Sequence, residues 1–262
     1  MSTGGGMEDL SAAYENAAHI PGGAAYPERW AAAAAAFRAA HPPETLVYGS
    51  GARQVCALYR PAGAARGLIV VVHGGYWMAF GRDDFSHLAA GGLAAGYAVA
   101  LPGYTLAPAA RIGAIGAEVA AAIGMLAEAV PGPIRLAGHS AGGQLVARAV
   151  RDASAWRDRV ARVVPISPLG DLAPLMATGM NAVLGIDAAE AAAESPARFS
   201  APPVPVTIWV GADERPAFID QARGLGAAWG ARVVQEPGRH HFDVIAGLER
   251  GDTALMAALL AE

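Results

Sequence analysis

The sequence predicts an α/β fold with a mainly parallel, doubly wound sheet and helices on both faces. Continuous apolar, β-branched runs at 67–72 and 97–101 are typical of strands buried on both sides. Helix-like stretches alternate with such runs along the whole chain, and Gly- and Pro-containing turns separate them. Because no linker, repeat or shift in composition interrupts this rhythm, the pattern favours one layered domain.

The 262 residues suit a single domain of this kind. We predict a disordered leader over residues 1–7 and one domain over 8–262. Residues 168–200 break the strand–helix alternation and are Pro-rich at both ends. They are predicted to form a small helical, cap-like insertion over the carboxyl edge of the sheet.

The elements are predicted in the following order. Strands are expected in a pair within 44–60 and then at 67–72, 97–101, 134–137, 160–167, 204–210 and 232–235. Helices are expected within 8–41, with a break at 21–23, and then at about 85–95, 114–130, 144–152 and 216–229, with a last helix from residue 242 onward.

Charge and composition narrow the classes of partner. The net charge is −4 and no cluster of Lys or Arg occurs, so we expect no nucleic-acid or membrane partner. Glycine, proline or charged residues interrupt every long apolar run, which argues against a membrane-spanning helix. The single cysteine, Cys56, excludes an intrachain disulfide and fits a cytoplasmic location.

Residues 138–143 read Gly-His-Ser-Ala-Gly-Gly and lie between a predicted strand and a predicted helix. This spacing is typical of a tight turn that lifts the Ser140 hydroxyl clear of the sheet as a nucleophile. Glycines are needed because a Cβ would block neighbouring backbone. The turn also leaves the Ala141 N–H free at a helix N-terminus, where it can stabilise developing negative charge.

A serine nucleophile needs a base, and the base needs an orienting carboxylate. His240 and His241 follow the last predicted strand, and Asp213 and Glu214 follow the strand before it. His241 is the favoured base because it directly precedes the last helix, with His240 as an exposed neighbour or substrate contact. Either Asp213 or Glu214 could be the acid, the other then capping the following helix.

A glycine turn directly after the buried run at 67–72 supplies candidates for an oxyanion hole. The backbone N–H groups of Gly74 and Gly75, together with that of Ala141, could hold a tetrahedral intermediate. Aromatic residues near strand ends could wall the substrate pocket, namely Tyr76, Trp77, Phe80 and Tyr104. A metal site is not expected, because the adjacent His240 and His241 rarely bind one ion and no further ligand set accompanies them.

The chain resembles the kynurenine formamidase (arylformamidase)-like branch of the α/β hydrolases, which borders the hormone-sensitive-lipase-like esterases. The matching motifs span nearly the whole chain and are His73-Gly-Gly-Tyr-Trp77, Tyr104-Thr-Leu-Ala-Pro108, Gly138-His-Ser-Ala-Gly-Gly143, Pro165-Ile-Ser-Pro-Leu-Gly-Asp-Leu172, Glu194-Ser-Pro196, Gly211-Ala-Asp-Glu-Arg-Pro-Ala-Phe218 and Pro237-Gly-Arg-His-His-Phe242.

The resemblance implies an α/β-hydrolase fold, Ser140 as nucleophile, His241 as base and no cofactor. It also favours Glu214 as the acid, because the family pattern has an acid followed by a small residue, Pro, any residue and Phe. Two positions depart from the pattern. Arg215 stands where a small residue is expected, and Thr105 replaces an arginine, which leaves the substrate open.

We therefore expect a cytoplasmic serine hydrolase that cleaves a small ester or an N-formyl or aryl amide through an acyl-enzyme. A short-chain carboxylesterase is the alternative within the same chemistry. A non-catalytic binding module with this fold is the alternative of another class. The expected partner is a small-molecule substrate, and a homodimer remains open because related folds often dimerise.

Overall fold

The computed structural model describes residues 9–151 and 156–262, so the leader predicted at 1–7 lies outside the described residues. Over these residues eight strands form one sheet in the order β1-β2-β4-β3-β5-β6-β7-β8. The strands are β1 (Glu44–Val47), β2 (Val55–Tyr59), β3 (Leu68–Val72), β4 (Ala98–Pro102), β5 (Ile134–His139), β6 (Val160–Ile166), β7 (Thr207–Gly211) and β8 (Arg232–Glu236).

The sheet is antiparallel at one edge and parallel elsewhere. β1 pairs with β2 and β2 with β4 in antiparallel register, whereas every pairing from β4 to β8 is parallel. β3, β4 and β5 are buried along their full lengths, as expected for strands that helices cover on both faces. The predicted mainly parallel, doubly wound sheet is confirmed.

Helices cover both faces of the sheet. Their bounds are α1 (Ser11–Tyr14), α2 (Tyr26–Ala40), α3 (Ala89–Ala94), α4 (Ile112–Ala129), α5 (Ala141–Ala149), α6 (Asn181–Leu184), α7 (Ala188–Glu194), α8 (Pro216–Trp229) and α9 (Ala254–Leu260). Because side chains alternate along a strand, Val70 and Val72 belong to the same core cluster as residues of α4 and α5. Ile69 and Val71 belong to the cluster on the opposite face, which includes residues of α2 and α9.

Helix α4 is long and apolar enough to cross a membrane by length and composition alone, with a mean hydropathy of 1.5. In this fold it packs on β4 and α5 and buries a stripe that includes Ile115, Val119 and Ile123. Its Glu118 carboxylate accepts a hydrogen bond from the Thr105 backbone N–H at 2.7 Å. α4 is therefore a core helix in the described structure.

Two predicted helices differ from the observed structure. The helix expected from residue 242 is a 3₁₀ segment, Val244–Leu248, followed by α9, which restarts where the Thr253 hydroxyl accepts from the Met256 N–H at 3.1 Å. The helix expected at 85–95 is a 3₁₀ segment followed by the short α3. Residues 168–200 hold short helical segments, among them α6 and α7, and their cap-like role stays a prediction.

Candidate active site

The turn between β5 and α5 holds Ser140 in an unusual backbone conformation, with φ 55° and ψ −115°. Such a conformation is strained for a non-glycine residue. The two motif glycines make the turn sterically allowed. A Cβ at Gly138 would lie 2.1 Å from the Gly142 carbonyl oxygen, and one at Gly142 would lie 2.1 Å from that of Val72. The sequence therefore requires glycine at both positions.

Glu214 and His241 form a buried hydrogen-bonded pair. His241 Nδ1 lies 2.6 Å from Glu214 Oε2, and the exposed fractions of the two side chains are 4% and 0%. The contact places the ring proton on Nδ1, because a carboxylate can only accept. Nε2 is then left with the lone pair that a general base needs.

The second oxygen of Glu214 is also held. Oε1 accepts from the Ser167 hydroxyl at 2.5 Å and from the Gly211 backbone N–H at 2.7 Å. Ser167 lies directly after β6 and has a positive φ of 48°. These two donors fix the carboxylate plane, so the Glu214–His241 contact has little freedom to change.

Asp213 and His240 lie apart from this pair. The Asp213 side chain is exposed, whereas Glu214 is buried, so the geometry favours Glu214 over Asp213 as the partner of His241. His240 Nε2 contacts the Tyr26 hydroxyl at 3.1 Å, and its Nδ1 accepts from the Phe242 N–H. His240 is thus half-buried and engaged with α2, and it does not line the cavity described below.

His139, the residue before Ser140, stabilises the loop that carries His241. Its Nε2–H donates to the His241 carbonyl at 2.8 Å, and the two rings lie 4.7 Å apart. Burial, together with the neighbouring His241, holds the pKa of His139 well below its ordinary value. A neutral His139 therefore adds no positive charge beside the base.

The Gly74–Gly75 turn passes directly beside Ser140. A Cβ at Gly74 would lie 2.9 Å from the His139 carbonyl oxygen and 3.0 Å from Ser140 Cβ. Gly75 has φ 104°, a conformation that disfavours other residues. In the described part of the chain, the N–H groups of Gly74, Gly75 and Ala141 donate to no backbone acceptor. All three amides near the serine are thus available to a ligand.

A cavity of about 500 Å³ opens onto Ser140 and His241. Gly74, Gly75 and Tyr76 line it, as the sequence predicted for the two glycines and the tyrosine. In the described part of the chain, the Ser140 hydroxyl makes no hydrogen bond. A hydrogen bond between a serine nucleophile and its base often tightens only when substrate is bound. The rest of the wall is mainly apolar and includes Trp30, Met78, Phe80, Phe85, Met180 and Phe242.

Trp77 and Tyr104 do not line this cavity, which corrects their predicted place in its wall. Both are fully buried. Trp77 Nε1 donates to Gln144 Oε1 at 3.2 Å, and the Tyr104 hydroxyl donates to the His73 carbonyl at 3.0 Å. These two hydrogen bonds hold the glycine turn in place, because its strained residues need fixed partners.

His73 shapes the same turn. Its Nδ1–H donates to the Gly74 carbonyl at 2.7 Å, and its ring stacks on Tyr104 with 4.3 Å between the centroids. Burial lowers the pKa of His73 to about 4. His73 is therefore a neutral structural group beside the cavity.

The segment 11–17 also lines the cavity, contributing Ser11, Tyr14, Glu15, Asn16 and Ala17 to its wall. Arg215 holds this segment in place. Its Nη2 donates to the Ala12 carbonyl at 3.0 Å, and its Nη1 lies 3.4 Å from His19 Nδ1. The arginine that departs from the family pattern thus binds a part of the cavity wall.

The sequence predicted no role for several of the site residues. Ser167 and His139 lie at strand ends and could have been found by their position, since ligand sites gather there. Asn16 and Trp30 come from the N-terminal helical stretch, whose sequence shows only alanine-rich helix. Among the described residues, no group of three or more His, Cys, Asp or Glu side chains is placed to hold a metal ion.

The chain is similar to proteins of one fold family. Residues 69–197 match the sequence profile of the alpha/beta hydrolase fold. Kynurenine formamidase of Salmo salar is 24% identical over 81% of this chain and 79% of its own, and that of Danio rerio is 25% identical over 71% and 69%.

Two solved structures extend the comparison. A candidate thioesterase from Silicibacter sp. tm1040 shares 46% identity, covers 97% of this chain and 100% of its own, and superposes with a TM-score of 0.94. An esterase from Pyrobaculum calidifontis, 22% identical over 88% and 89% of the chains, has a TM-score of 0.66 and supports the fold alone. The expected resemblance is confirmed: the chain has the α/β-hydrolase fold and is similar in sequence to kynurenine formamidases.

Proposed function

We propose that this protein is a serine hydrolase that cleaves a small ester or an N-formyl or aryl amide through an acyl-enzyme. The observation that carries the proposal is the buried 2.6 Å contact between His241 Nδ1 and Glu214, beside a serine on a strained strand-to-helix turn. A base oriented in this way, with its second nitrogen free, is what a serine nucleophile requires.

In the proposed mechanism, the Ser140 oxygen attacks the substrate carbonyl while His241 Nε2 takes the hydroxyl proton. Glu214 stabilises the resulting imidazolium through Nδ1. The N–H groups of Gly74, Gly75 and Ala141 bind the oxyanion. The His241 proton then passes to the leaving oxygen or nitrogen, the acyl group stays on Ser140, and water releases it by the same steps in reverse.

The mainly apolar cavity suits a small acyl or aryl group rather than a charged polymer. Sequence similarity to kynurenine formamidases supports an N-formyl aryl amide as substrate. A second candidate, a short-chain ester or thioester, is supported by the 46%-identical candidate thioesterase. The cytoplasmic location and the small-molecule partner stay predictions. Whether the protein forms a homodimer stays undecided.

The proposal is tested first by labelling with a fluorophosphonate. We expect stoichiometric labelling of the wild-type protein and none of Ser140→Ala. A folded wild-type protein that takes up no label would favour the non-catalytic binding module.

The acyl group is then identified by comparing N-formylkynurenine with short p-nitrophenyl esters and the matching thioesters. Formamide hydrolysis at a rate comparable with the esters supports the formamidase assignment. Turnover of esters or thioesters alone would replace it with the second candidate.

A further inference from the structure

Gln144 is a fully buried polar side chain that the proposed mechanism does not use. It lies on α5, one helical turn after Ser140, and its exposed fraction is 0%. Burying an amide side chain is costly unless its ends are hydrogen-bonded. Both ends of the Gln144 carboxamide have a partner, and the two partners come from different parts of the chain.

The partners fix the orientation of the Gln144 carboxamide. The Trp77 indole N–H, which can only donate, places its nitrogen 3.2 Å from Oε1. The Glu194 backbone carbonyl, which can only accept, lies 2.8 Å from Nε2. A flipped amide would set donor against donor and acceptor against acceptor. Gln144 therefore holds both contacts in one arrangement.

The Trp77 contact reaches the turn that carries two of the amides assigned to the oxyanion hole. Trp77 lies just beyond the glycines of this turn and has a positive φ of 57°. A non-glycine residue keeps such a conformation only where its surroundings hold it. The third amide, that of Ala141, lies at the start of α5. The Gln144–Trp77 hydrogen bond thus joins the two elements that together would form the hole.

The Glu194 contact reaches the segment 168–200. Glu194 ends α7, and its carboxylate accepts from Nε of Arg148, also on α5, at 2.7 Å. The exposed fraction is 9% for the Glu194 side chain and 17% for that of Arg148. A charge-assisted hydrogen bond of this length is a strong one. The end of α7 is therefore fixed on α5, and Nε2 of Gln144 has a fixed acceptor there.

Resting on the function proposed above, we propose that Gln144 is a positioning residue for the oxyanion hole. Its carboxamide sets the place of the Gly74–Gly75 amides relative to Ser140 and Ala141. Amides displaced by a fraction of an ångström still admit the uncharged substrate, but they bind the developing oxyanion less well. Loss of the Gln144 hydrogen bonds therefore acts on the transition state and spares binding of the ground state.

The test compares two ligands of nearly the same shape. Trifluoroacetophenone has an activated carbonyl carbon. The Ser140 oxygen adds to this carbon, the hydroxyl proton passes to His241, and the carbonyl electron pair becomes an oxyanion in the hole. Acetophenone lacks this activation and reports binding of the ground state.

Gln144→Met keeps the length of the side chain without its hydrogen bonds. We expect Ki for trifluoroacetophenone to rise about 10-fold, and kcat on p-nitrophenyl acetate to fall by a similar factor. Ki for acetophenone and KM for the ester should stay within about twofold of wild type, since only the transition state loses a contact.

Trp77→Phe tests the same hydrogen bond from its other end, because it removes the indole N–H and keeps an aromatic ring. It should raise Ki for trifluoroacetophenone by a similar factor. The double variant with Gln144→Met should bind no more weakly than either single variant, since both remove one shared contact. Trp77→Phe carries the measurement alone if thermal unfolding shows that Gln144→Met does not fold.

Gln221→Met is the matched control. Gln221 is also buried and is hydrogen-bonded at both ends, to Tyr14 and Asp171. Its replacement removes comparable contacts but should leave the ratio of the two Ki values unchanged. Equal weakening of both ketones in Gln144→Met would overturn the positioning role. Losses that multiply in the double variant would overturn it too.

Failure of this inference is distinct from failure of the proposed function. A wild-type protein that takes up no fluorophosphonate label and binds trifluoroacetophenone no more tightly than acetophenone would remove the serine-hydrolase proposal itself. A labelled, active enzyme whose Ki ratio is the same in Gln144→Met and Trp77→Phe as in the wild type would leave the hydrolase in place. It would remove only Gln144 as the positioning residue.

Discussion

Glu214 and Arg215 are consecutive residues whose side chains hold two different parts of the cavity. Glu214 is buried against His241 at 2.6 Å, whereas Arg215 donates to the Ala12 carbonyl at 3.0 Å. The loop between β7 and α8 therefore fixes both the base and the N-terminal segment of the cavity wall. A change at either position should disturb the site in its own way, and the first and third predictions below separate them.

Replacing the buried carboxylate should abolish most activity. Glu214→Gln keeps the shape but offers Nδ1 no charged acceptor, so kcat should fall by roughly 10³–10⁴-fold. Asp213→Asn changes an exposed neighbour and serves as the matched control, with kcat within about twofold of wild type. Steady-state kinetics on a p-nitrophenyl ester measure both. Similar near-normal rates for the two variants would refute the assignment of the acid.

Ser167 should contribute to catalysis through Glu214. Ser167→Ala removes the hydroxyl that donates to Oε1 and leaves the Gly211 N–H as the remaining donor to that oxygen. A hydrogen bond to a charged group contributes about 1.5–3 kcal/mol, so kcat should fall about 10- to 100-fold. An unchanged kcat in Ser167→Ala would show that Glu214 is held adequately without it.

Releasing the N-terminal wall should weaken substrate binding more than chemistry. Arg215→Ala removes the contacts to Ala12 and His19 while the Glu214–His241 pair stays intact. We expect KM to rise several-fold and kcat to stay within about twofold, the signature of lost uniform binding. Arg223→Ala, on the exposed side of α8, is the control and should leave both constants unchanged. A selective fall in kcat would instead place Arg215 in the positioning of Glu214.

The oxyanion turn should not tolerate a methyl group at Gly74. In Gly74→Ala the new Cβ would lie 2.9 Å from the His139 carbonyl oxygen, so the turn must move away from Ser140. Loss of one aligned donor typically lowers kcat about 10²–10³-fold. Gly63→Ala, where nothing lies within 4 Å of the added Cβ, is the matched control. Normal turnover by a folded Gly74→Ala would exclude these amides from the oxyanion hole.

His87 should make the protein less stable in acid. Burial lowers the pKa of His87 from 6.5 to about 4, so between those values the unfolded chain binds a proton that the folded chain does not. The free energy of unfolding should therefore fall as the pH drops from 6.5 toward 4, by about 1.4 kcal/mol per pH unit for this one group.

Denaturant titrations at several pH values test this prediction. His87→Gln should have a shallower dependence on pH than the wild type over that range. The nearby Glu249 carboxylate, 3.8 Å from Nε2 and half-exposed, is too well solvated to reverse the direction. Identical slopes in the two proteins would show that His87 is not a buried neutral group.

Local sequence chemistry predicted much of the fold. The apolar runs became the buried strands β3, β4 and β5 because strands covered on both faces need apolar side chains on both. The break at residues 249–253 was missed, since the pattern from Phe242 onward shows no proline to end a helix. Only the packing of Gly247 against Leu255 and the Thr253 cap reveals it.

The candidate site was predicted where a backbone constraint dictates residue type. Glycines at 138 and 142 predicted the Ser140 turn, because no larger residue fits at either position. Trp77 and Tyr104 were misplaced, since an aromatic residue after a strand end looks the same in sequence whether it lines a cavity or anchors a loop. The place of Asn16 in the cavity wall was not predicted, because only tertiary contacts bring the N-terminal segment to the cavity.

Trp30 gives the cavity a built-in optical probe. Its indole lines the wall beside Phe85 and Phe242, whereas Trp77, Trp156, Trp209 and Trp229 lie outside that wall. A nitroaromatic ligand bound near Trp30 should quench the fluorescence of Trp30. In a Trp30→Phe variant the same ligand should quench the tryptophan fluorescence much less. In the Ser140→Ala background, occupancy could then be titrated by fluorescence with no turnover, and affinity could be measured apart from rate.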